Sequence, residues 1–154
     1  MTLASDGEAL LGAWFECQRH FGSVLSGNEE ERALPIFEDA HCWLDAYFAG
    51  KVPAWTPKLQ FKGTAFREAV WKALLEIPYG ETLSYGELAM RVAGGRNFAR
   101  AVGMAVGWNP LSVIVPCHRV LGAGGSLTGY AGGVERKRWL LELEQSVSSK
   151  LTPN

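Results

Sequence analysis

The sequence predicts an α+β protein built from two small lobes. Three observations carry this expectation: a hairpin signal followed by an amphipathic helix within residues 1–48, a proline-containing connector at residues 50–57, and two short helices joined by a glycine turn beyond residue 84. The charge also changes sign across the connector. Residues 1–57 hold 3 Lys/Arg against 9 Asp/Glu, whereas residues 58–142 hold 11 against 6. The expected boundaries are therefore an N-terminal lobe at 1–57, a C-terminal lobe at 58–146 and a polar tail at 147–154. The second lobe is the one that can face a polyanion, although charge alone leaves open that these groups merely solvate the surface.

Taken in order, Leu3 to Phe15 reads as two short apolar strands around the Asp6-Gly7 turn. Ala33, Ile36, Phe37, Ala40, Trp43, Leu44, Tyr47 and Phe48 recur at spacings of three and four, the inward stripe of a helix that covers the hairpin. Gly50 stops that helix, and Pro53 and Pro57 mark the connector. Thr64 caps a helix running to about Ile77 with Phe66, Val70, Leu74 and Ile77 inward, and Pro78-Tyr79-Gly80 ends it.

Ser84 and Glu87 form a capping box at the start of a helix to about Val92, and Gly94-Gly95 turns the chain. Asn97 then caps a helix from Phe98 to Gly107, which completes a helix-turn-helix pattern. Helical hairpins that never meet DNA share this pattern, so it needs support from elsewhere. Leu111 to Pro116 is a β-prone apolar run, and residues 122–133 contain six glycines, a loop able to wrap a ligand. Glu135 to Gln145 closes the ordered chain as a helix with Trp139, Leu140 and Leu143 inward, ahead of a frayed polar end from Ser146.

No apolar run approaches the ~18 residues of a membrane span, and residues 1–15 lack the charged start and apolar stretch of a secretory signal, which predicts a cytoplasmic protein. Cys17, Cys42 and Cys117 are then expected as free thiols. Cys17, His20, His41 and Cys42 do not have the spacing of a zinc knuckle, so no metal and no other cofactor is expected. Cys117 stands out, because Pro116-Cys117-His118-Arg119 sets a thiol beside a base and a cation at the end of an apolar run. Adjacent side chains on a strand point apart, so adjacency alone leaves an inert buried cysteine as the plain alternative.

Asn109-Pro110 before that run and Pro116-Cys117-His118-Arg119 after it resemble the active-site signature of the O6-alkylguanine-DNA alkyltransferases. The resemblance extends through Ile77-Pro78-Tyr79-Gly80-Glu81-Thr82, Ser84-Tyr85, Arg100-Ala101-Val102-Gly103, Gly129-Tyr130-Ala131-Gly132-Gly133 and Arg138-Trp139-Leu140-Leu141-Glu142-Leu143-Glu144. It implies a ribonuclease-H-like N-terminal lobe of sheet plus helix, then a mostly helical, winged-helix-like lobe carrying the helix-turn-helix. It also implies a monomer that binds double-stranded DNA containing O6-alkylguanine, with no membrane or obligate protein partner. The alkyl group passes irreversibly to the protein's cysteine, once per molecule, and O4-alkylthymine is a poorer substrate.

By the same resemblance Cys117 is the acceptor, His118 acts on it through a water, Glu144 orients His118, and Asn109 holds the reading helix against the cysteine segment. Arg100 guards the gap left by a flipped nucleotide, Tyr85 presses on its phosphate, and Ala99 and Gly103 belong to a slim helix lying in the minor groove. Tyr130, Val120, Ala131 and Pro116 form the base pocket. Two departures stand out. Relatives commonly have further residues, including a first strand, ahead of the segment that starts here at Met1, and Trp108 stands where relatives carry a small or polar residue. Three alternatives remain beside the transferase: a lesion-binding protein without transfer activity, which the presence of Cys117 opposes, a winged-helix transcription regulator, and a thiol hydrolase, which would turn over.

Overall fold

The computed structural model describes residues 1–151. Its elements are strands β1 (Thr2–Ser5) and β2 (Leu10–Trp14), helices α1 (Pro35–Phe48) and α2 (Ala65–Leu74), strand β3 (Leu83–Ser84), helices α3 (Tyr85–Ala93) and α4 (Ala99–Gly107), strand β4 (Val120–Leu121) and helix α5 (Val134–Leu151). The fold is α+β, with two small two-stranded sheets and several helices.

The β1–β2 hairpin is antiparallel with a bulge between Ala4 and Ser5, where the Asp6 carboxylate accepts the Glu8 and Ala9 amides and tightens the turn. β2 is fully buried and is clamped by two further segments. Leu10 donates to the Lys58 carbonyl and accepts from Gln60, while Ala13 donates to Pro110 and accepts from Ser112. One short strand therefore joins the hairpin both to the connector and to the segment that leads into Cys117.

Pro35 opens α1 at its first turn, where a missing N–H costs nothing. Ile36, Ala40, Trp43, Leu44 and Tyr47 are buried as the spacing predicts, and the Trp43 indole donates to the Trp55 carbonyl at 2.8 Å, pinning the connector. Thr64 caps α2 by accepting the Arg67 amide. The buried face of α2 is Val70, Trp71 and Leu74, continued by Ile77, whereas Phe66 is exposed, against expectation. Trp71 takes the inward place and donates from its indole to Ala105 on α4 at 2.9 Å.

The capping box of Ser84 and Glu87 is present on α3, and Gly94 ends that helix at a φ of 74°, a left-handed position that favours glycine. Asn97 does not cap α4. It lies inside a 3-10 turn spanning Arg96–Phe98, so the two helices meet through a tighter connection than the expected cap allows. The expected strand at residues 111–116 is absent: Leu111 makes one bridge to Ala13, and Val113 has a φ of 73°. The cause is Asn109, whose side chain takes the Leu111 amide and donates to the Val115 carbonyl, replacing a ladder with a compact turn.

α5 runs on to Leu151, so residues 146–151 are helical rather than frayed, and the rest of the expected tail lies outside the described residues. On α5 Leu140 is buried but Trp139 is half exposed, and the inward positions go to Lys137 and Glu144. A single apolar core runs from Leu10 through α1 to α4 and reaches Cys117, Val120 and Leu140. Among the described residues no helix is long and apolar enough to cross a membrane.

Candidate active site

Cys117, His118 and Arg119 form one 3-10 turn at the centre of the molecule, and all three are buried. Glu144 reaches them from α5, 1% exposed. Its Oε1 lies 2.8 Å from His118 Nε2 and 2.9 Å from Arg119 Nη2, and its Oε2 accepts from Arg119 Nε at 2.9 Å and from the Gly80 amide at 3.1 Å. The Tyr47 hydroxyl, from α1, donates to the same Oε1 at 2.7 Å. Arg119 completes the cluster through Nη1, which donates to the Ile77 carbonyl at 2.6 Å. Desolvation of a buried carboxylate is costly, and here each oxygen has several donors and one full positive charge beside it.

These contacts set the protonation states. Burial alone would raise the Glu144 carboxyl, but the hydrogen bonds and charges of His118 and Arg119 carry it down to about 2. Glu144 is therefore ionised, His118 Nε2 must be the nitrogen that carries the proton, and Nδ1 is left with its lone pair. Nδ1 is buried and has no protein partner among the described residues. Burial holds His118 below its usual value, against the pull of Glu144, so the ring rests neutral.

Burial likewise pushes the Cys117 thiol up, opposed by a hydrogen bond from Asn109, the charge of Lys137 and the Cys117 and His118 amides. The sulfur is thus a resting thiol surrounded by groups that favour its anion. Lys137 is fully buried and donates from Nζ to the carbonyls of Val120 at 2.5 Å and Thr128 at 3.3 Å, which fastens the glycine-rich loop beside the sulfur. Nothing in the sequence marks Lys137 for this place, since its neighbours Arg136 and Arg138 are exposed and it shares their composition.

An open cleft of about 510 Å³ lies on the α4 side, lined by Tyr85, Arg100, Gly103 and Ala131 among the expected residues, and by Trp108 and His20. Tyr85 packs over Gly103, donates to the Thr128 carbonyl at 3.3 Å, and has its phenol pushed up to about 12 by burial and by Cys117. Tyr130 is oriented by the loop: a Cβ on Gly132 would stand 2.6 Å from its ring, so only glycine allows this approach. Its hydroxyl is buried without a partner among the described residues. Arg100 is exposed on α4, and Ala99 is half-buried at that helix's first turn. Pro116 and Val120 do not line the cleft. Val120 is buried with its carbonyl on Lys137, and Pro116 faces a separate cavity of about 200 Å³ beside Tyr47, Tyr79 and Arg119.

Trp108 shapes the wall of the cleft. The His20 ring stacks on it at 3.4 Å between centroids, and the Arg67 guanidinium lies 4.4 Å from its centroid. Two groups this near one ring must occupy opposite faces, so Trp108 ties the 16–20 loop of the hairpin side to α2. Trp108→Ala is expected to cost about 2 kcal/mol through the lost stack and cation–π contact, read from urea unfolding. Parent-like stability would show that the sandwich contributes nothing. Cys17 and Cys42 are exposed free thiols, and among the described residues no group of three or more His, Cys, Asp or Glu is placed to hold a metal.

The family described as 6-O-methylguanine DNA methyltransferase, DNA binding domain, matches residues 65–146, the part that holds the helix pair and the thiol, so the class is a DNA-binding methyltransferase. The methylated-DNA–protein-cysteine methyltransferase of Mycobacterium bovis is 58% identical over 95% of this chain and 86% of its own length, and that of Haemophilus influenzae is 43% identical over 94% and 80%. The chain belongs to the methylated-DNA–protein-cysteine methyltransferase family. The crystal structure of Mycobacterium tuberculosis OGT in complex with DNA superposes with a TM-score of 0.83 at 48% identity, covering 94% of this chain and 86% of that one. An O6-methylguanine DNA methyltransferase from Methanococcus jannaschii gives 0.62 at 30% identity, over 94% and 87%.

Proposed function

We propose that Cys117 is the residue on which this chain carries out its family's reaction. The chain is a DNA-repair methyltransferase that reverses alkylation directly, moving the alkyl group of O6-alkylguanine in DNA to a cysteine of its own. The observation that supports Cys117 is its burial beside a neutral imidazole whose far nitrogen is held by an ionised carboxylate.

The Cys117 proton passes through a water to His118 Nδ1, and Glu144 stabilises the imidazolium that forms. The thiolate then attacks the alkyl carbon. A carbon–sulfur bond forms as the bond from that carbon to O6 breaks, its electron pair stays on the guanine, and the proton returns to the departing base. The thioether is stable, so each molecule acts once. Asn109 and Lys137 favour the anionic sulfur while it exists.

A stacked base cannot reach a buried sulfur, so the nucleotide is flipped. In this reading α3 and α4 act as a helix-turn-helix with α4, slimmed by Ala99 and Gly103, in the minor groove. Tyr85 presses on the target phosphate, Arg100 fills the vacated space, and Tyr130 and Ala131 flank the base, while Pro116 and Val120 support the cysteine turn from outside the cleft. Residues 1–57 form a ribonuclease-H-like lobe and residues 58–146 a winged-helix-like lobe, with the parallel β3–β4 pair beside the helices as its support. Arg100→Ala is then expected to slow transfer from duplex DNA about tenfold and leave transfer from the free modified base unchanged. Equal slowing on both substrates would remove Arg100 from the flipping step.

Intact-mass spectrometry after incubation with a methylated-guanine duplex tests the proposal. One methyl per chain, on the peptide containing Cys117, is expected, with no further product as DNA is added. Continuing release of product would indicate a hydrolase, and no gain despite bound DNA would indicate a lesion-binding protein.

A further inference from the structure

Tyr47 belongs to the hairpin-covering helix α1, yet its hydroxyl ends inside the cluster around His118. It is fully buried and donates to Glu144 Oε1 at 2.7 Å, the same oxygen that receives His118 Nε2 at 2.8 Å. The hydroxyl oxygen lies 3.3 Å from Nε2 itself. Trp43 stacks against the phenol ring at 5.4 Å, and Tyr79 and Phe48 meet it edge-on, so the ring has little freedom to leave. Because burial and Glu144 both push its phenol up, Tyr47 stays protonated and gives its hydroxyl proton to Glu144.

The groups that face His118 are Glu144 and Lys137 from α5, Arg119 and Cys117 from its own segment, Tyr47 from α1, and Tyr79 beside Arg119. Of the groups on Glu144 Oε1, Arg119 carries a fixed charge and His118 is the base itself. Tyr47 is the neutral donor whose strength decides how much of that oxygen's electron density is left for Nε2–H. A carboxylate oxygen that shares its lone pairs with a phenol holds an imidazolium less tightly than one that does not.

We infer that Tyr47 is a positioning residue for the reaction, whose hydroxyl fixes Glu144 and takes up part of the electron density that Glu144 would otherwise offer to His118. The inference rests on the proposed roles of Cys117, His118 and Glu144. It makes the first helix of the chain part of the base, although the family match that contains the thiol starts only at residue 65.

The test uses the whole protein with three side chains at position 47: tyrosine, phenylalanine by Tyr47→Phe, and difluorotyrosine, whose more acidic hydroxyl is a stronger donor. Proton NMR of the His118 Nε2–H, without DNA, reads the bond to Glu144. Tyr47→Phe is expected to move this resonance downfield and difluorotyrosine upfield. The acid limb of the single-turnover rate should move up by about one pH unit in Tyr47→Phe, the scale of one hydrogen bond to a charged group, with DNA affinity unchanged. The same resonance in all three proteins, or shifts in the reverse order, would overturn the inference and leave Tyr47 as packing. Should Tyr47→Phe fail to fold, the difluorotyrosine protein decides alone, because it keeps the shape of the core. Failure of Cys117 to gain a methyl would strike at the underlying reading instead, and the resonance would still report on Tyr47.

Discussion

Cys117→Ala is expected to bind methylated DNA as tightly as the parent protein and to take up no alkyl group. The side chain is small, and the base pocket is formed by other residues, so stability should stay within about 1 kcal/mol. Loss of transfer should be complete rather than partial, because among the described residues Cys117 is the one buried thiol and the exposed Cys17 and Cys42 lack its buried histidine and carboxylate neighbours. Intact mass and fluorescence anisotropy on the same samples check both halves. A methyl still gained by the variant would mean that the acceptor lies elsewhere, and weakened binding would mean that the sulfur helps hold the lesion.

Glu144→Ala is expected to lose both stability and rate. It leaves the Arg119 guanidinium and the His118 ring buried without their shared partner, a change that costs about 3–5 kcal/mol for a buried pair. The rate should fall roughly 10²-fold or more, since His118 loses the group that stabilises its charged form. Glu144→Gln keeps the shape and removes the charge, so it separates packing from electrostatics. Parent-like stability and rate for either variant would remove Glu144 from the site.

The same group predicts how the protein meets acid. The folded Glu144 titrates near 2 and the unfolded one near 4.5, so its contribution is complete above about 4.5 and is lost as pH falls toward 2. That difference corresponds to about 3 kcal/mol for a side chain so fully buried. His118 acts in the same direction and earlier: its folded value lies below 6.5, so the unfolded chain binds a proton first and stability begins to fall as pH drops through 6.5. Urea unfolding from pH 7 to pH 3 should show both losses, and Glu144→Gln should keep the first and lack the second. A flat profile over that range would contradict the buried cluster.

Local signals carried much of this architecture. The Asp6-Gly7 turn, the α1 stripe from Ile36 onward, the Thr64 cap and the Ser84–Glu87 box depend on residues within a few positions of one another and appear where those residues indicate, whereas Ala33, expected in the stripe, is exposed ahead of α1. The misreadings are places where a tertiary contact overrules a local preference. Asn109 converts an apolar, β-prone run into a turn. Lys137 and Glu144 take the inward face of α5 that Trp139 was expected to share, because buried carbonyls and a buried arginine need them more than the core needs an indole.

For the candidate site, the Pro116–Arg119 motif itself marks Cys117 and His118, and only the resemblance adds Glu144, since a carboxylate 26 residues from its histidine leaves no spacing to read. Tyr47 was visible only as one more member of an apolar stripe. The stacking of His20 on Trp108 is a contact between segments 88 residues apart that no local pattern encodes.

The bond between Tyr47 and Glu144 closes a loop of 97 residues. Contacts so distant in sequence form late, after the local helices and hairpins that bring them near. During synthesis Cys117 and His118 leave the ribosome ahead of Glu144, so a nascent chain without α5 has His118 without the carboxylate that the proposed mechanism pairs with it. On the proposed roles of Cys117, His118 and Glu144, this ordering reserves the single turnover for the finished molecule.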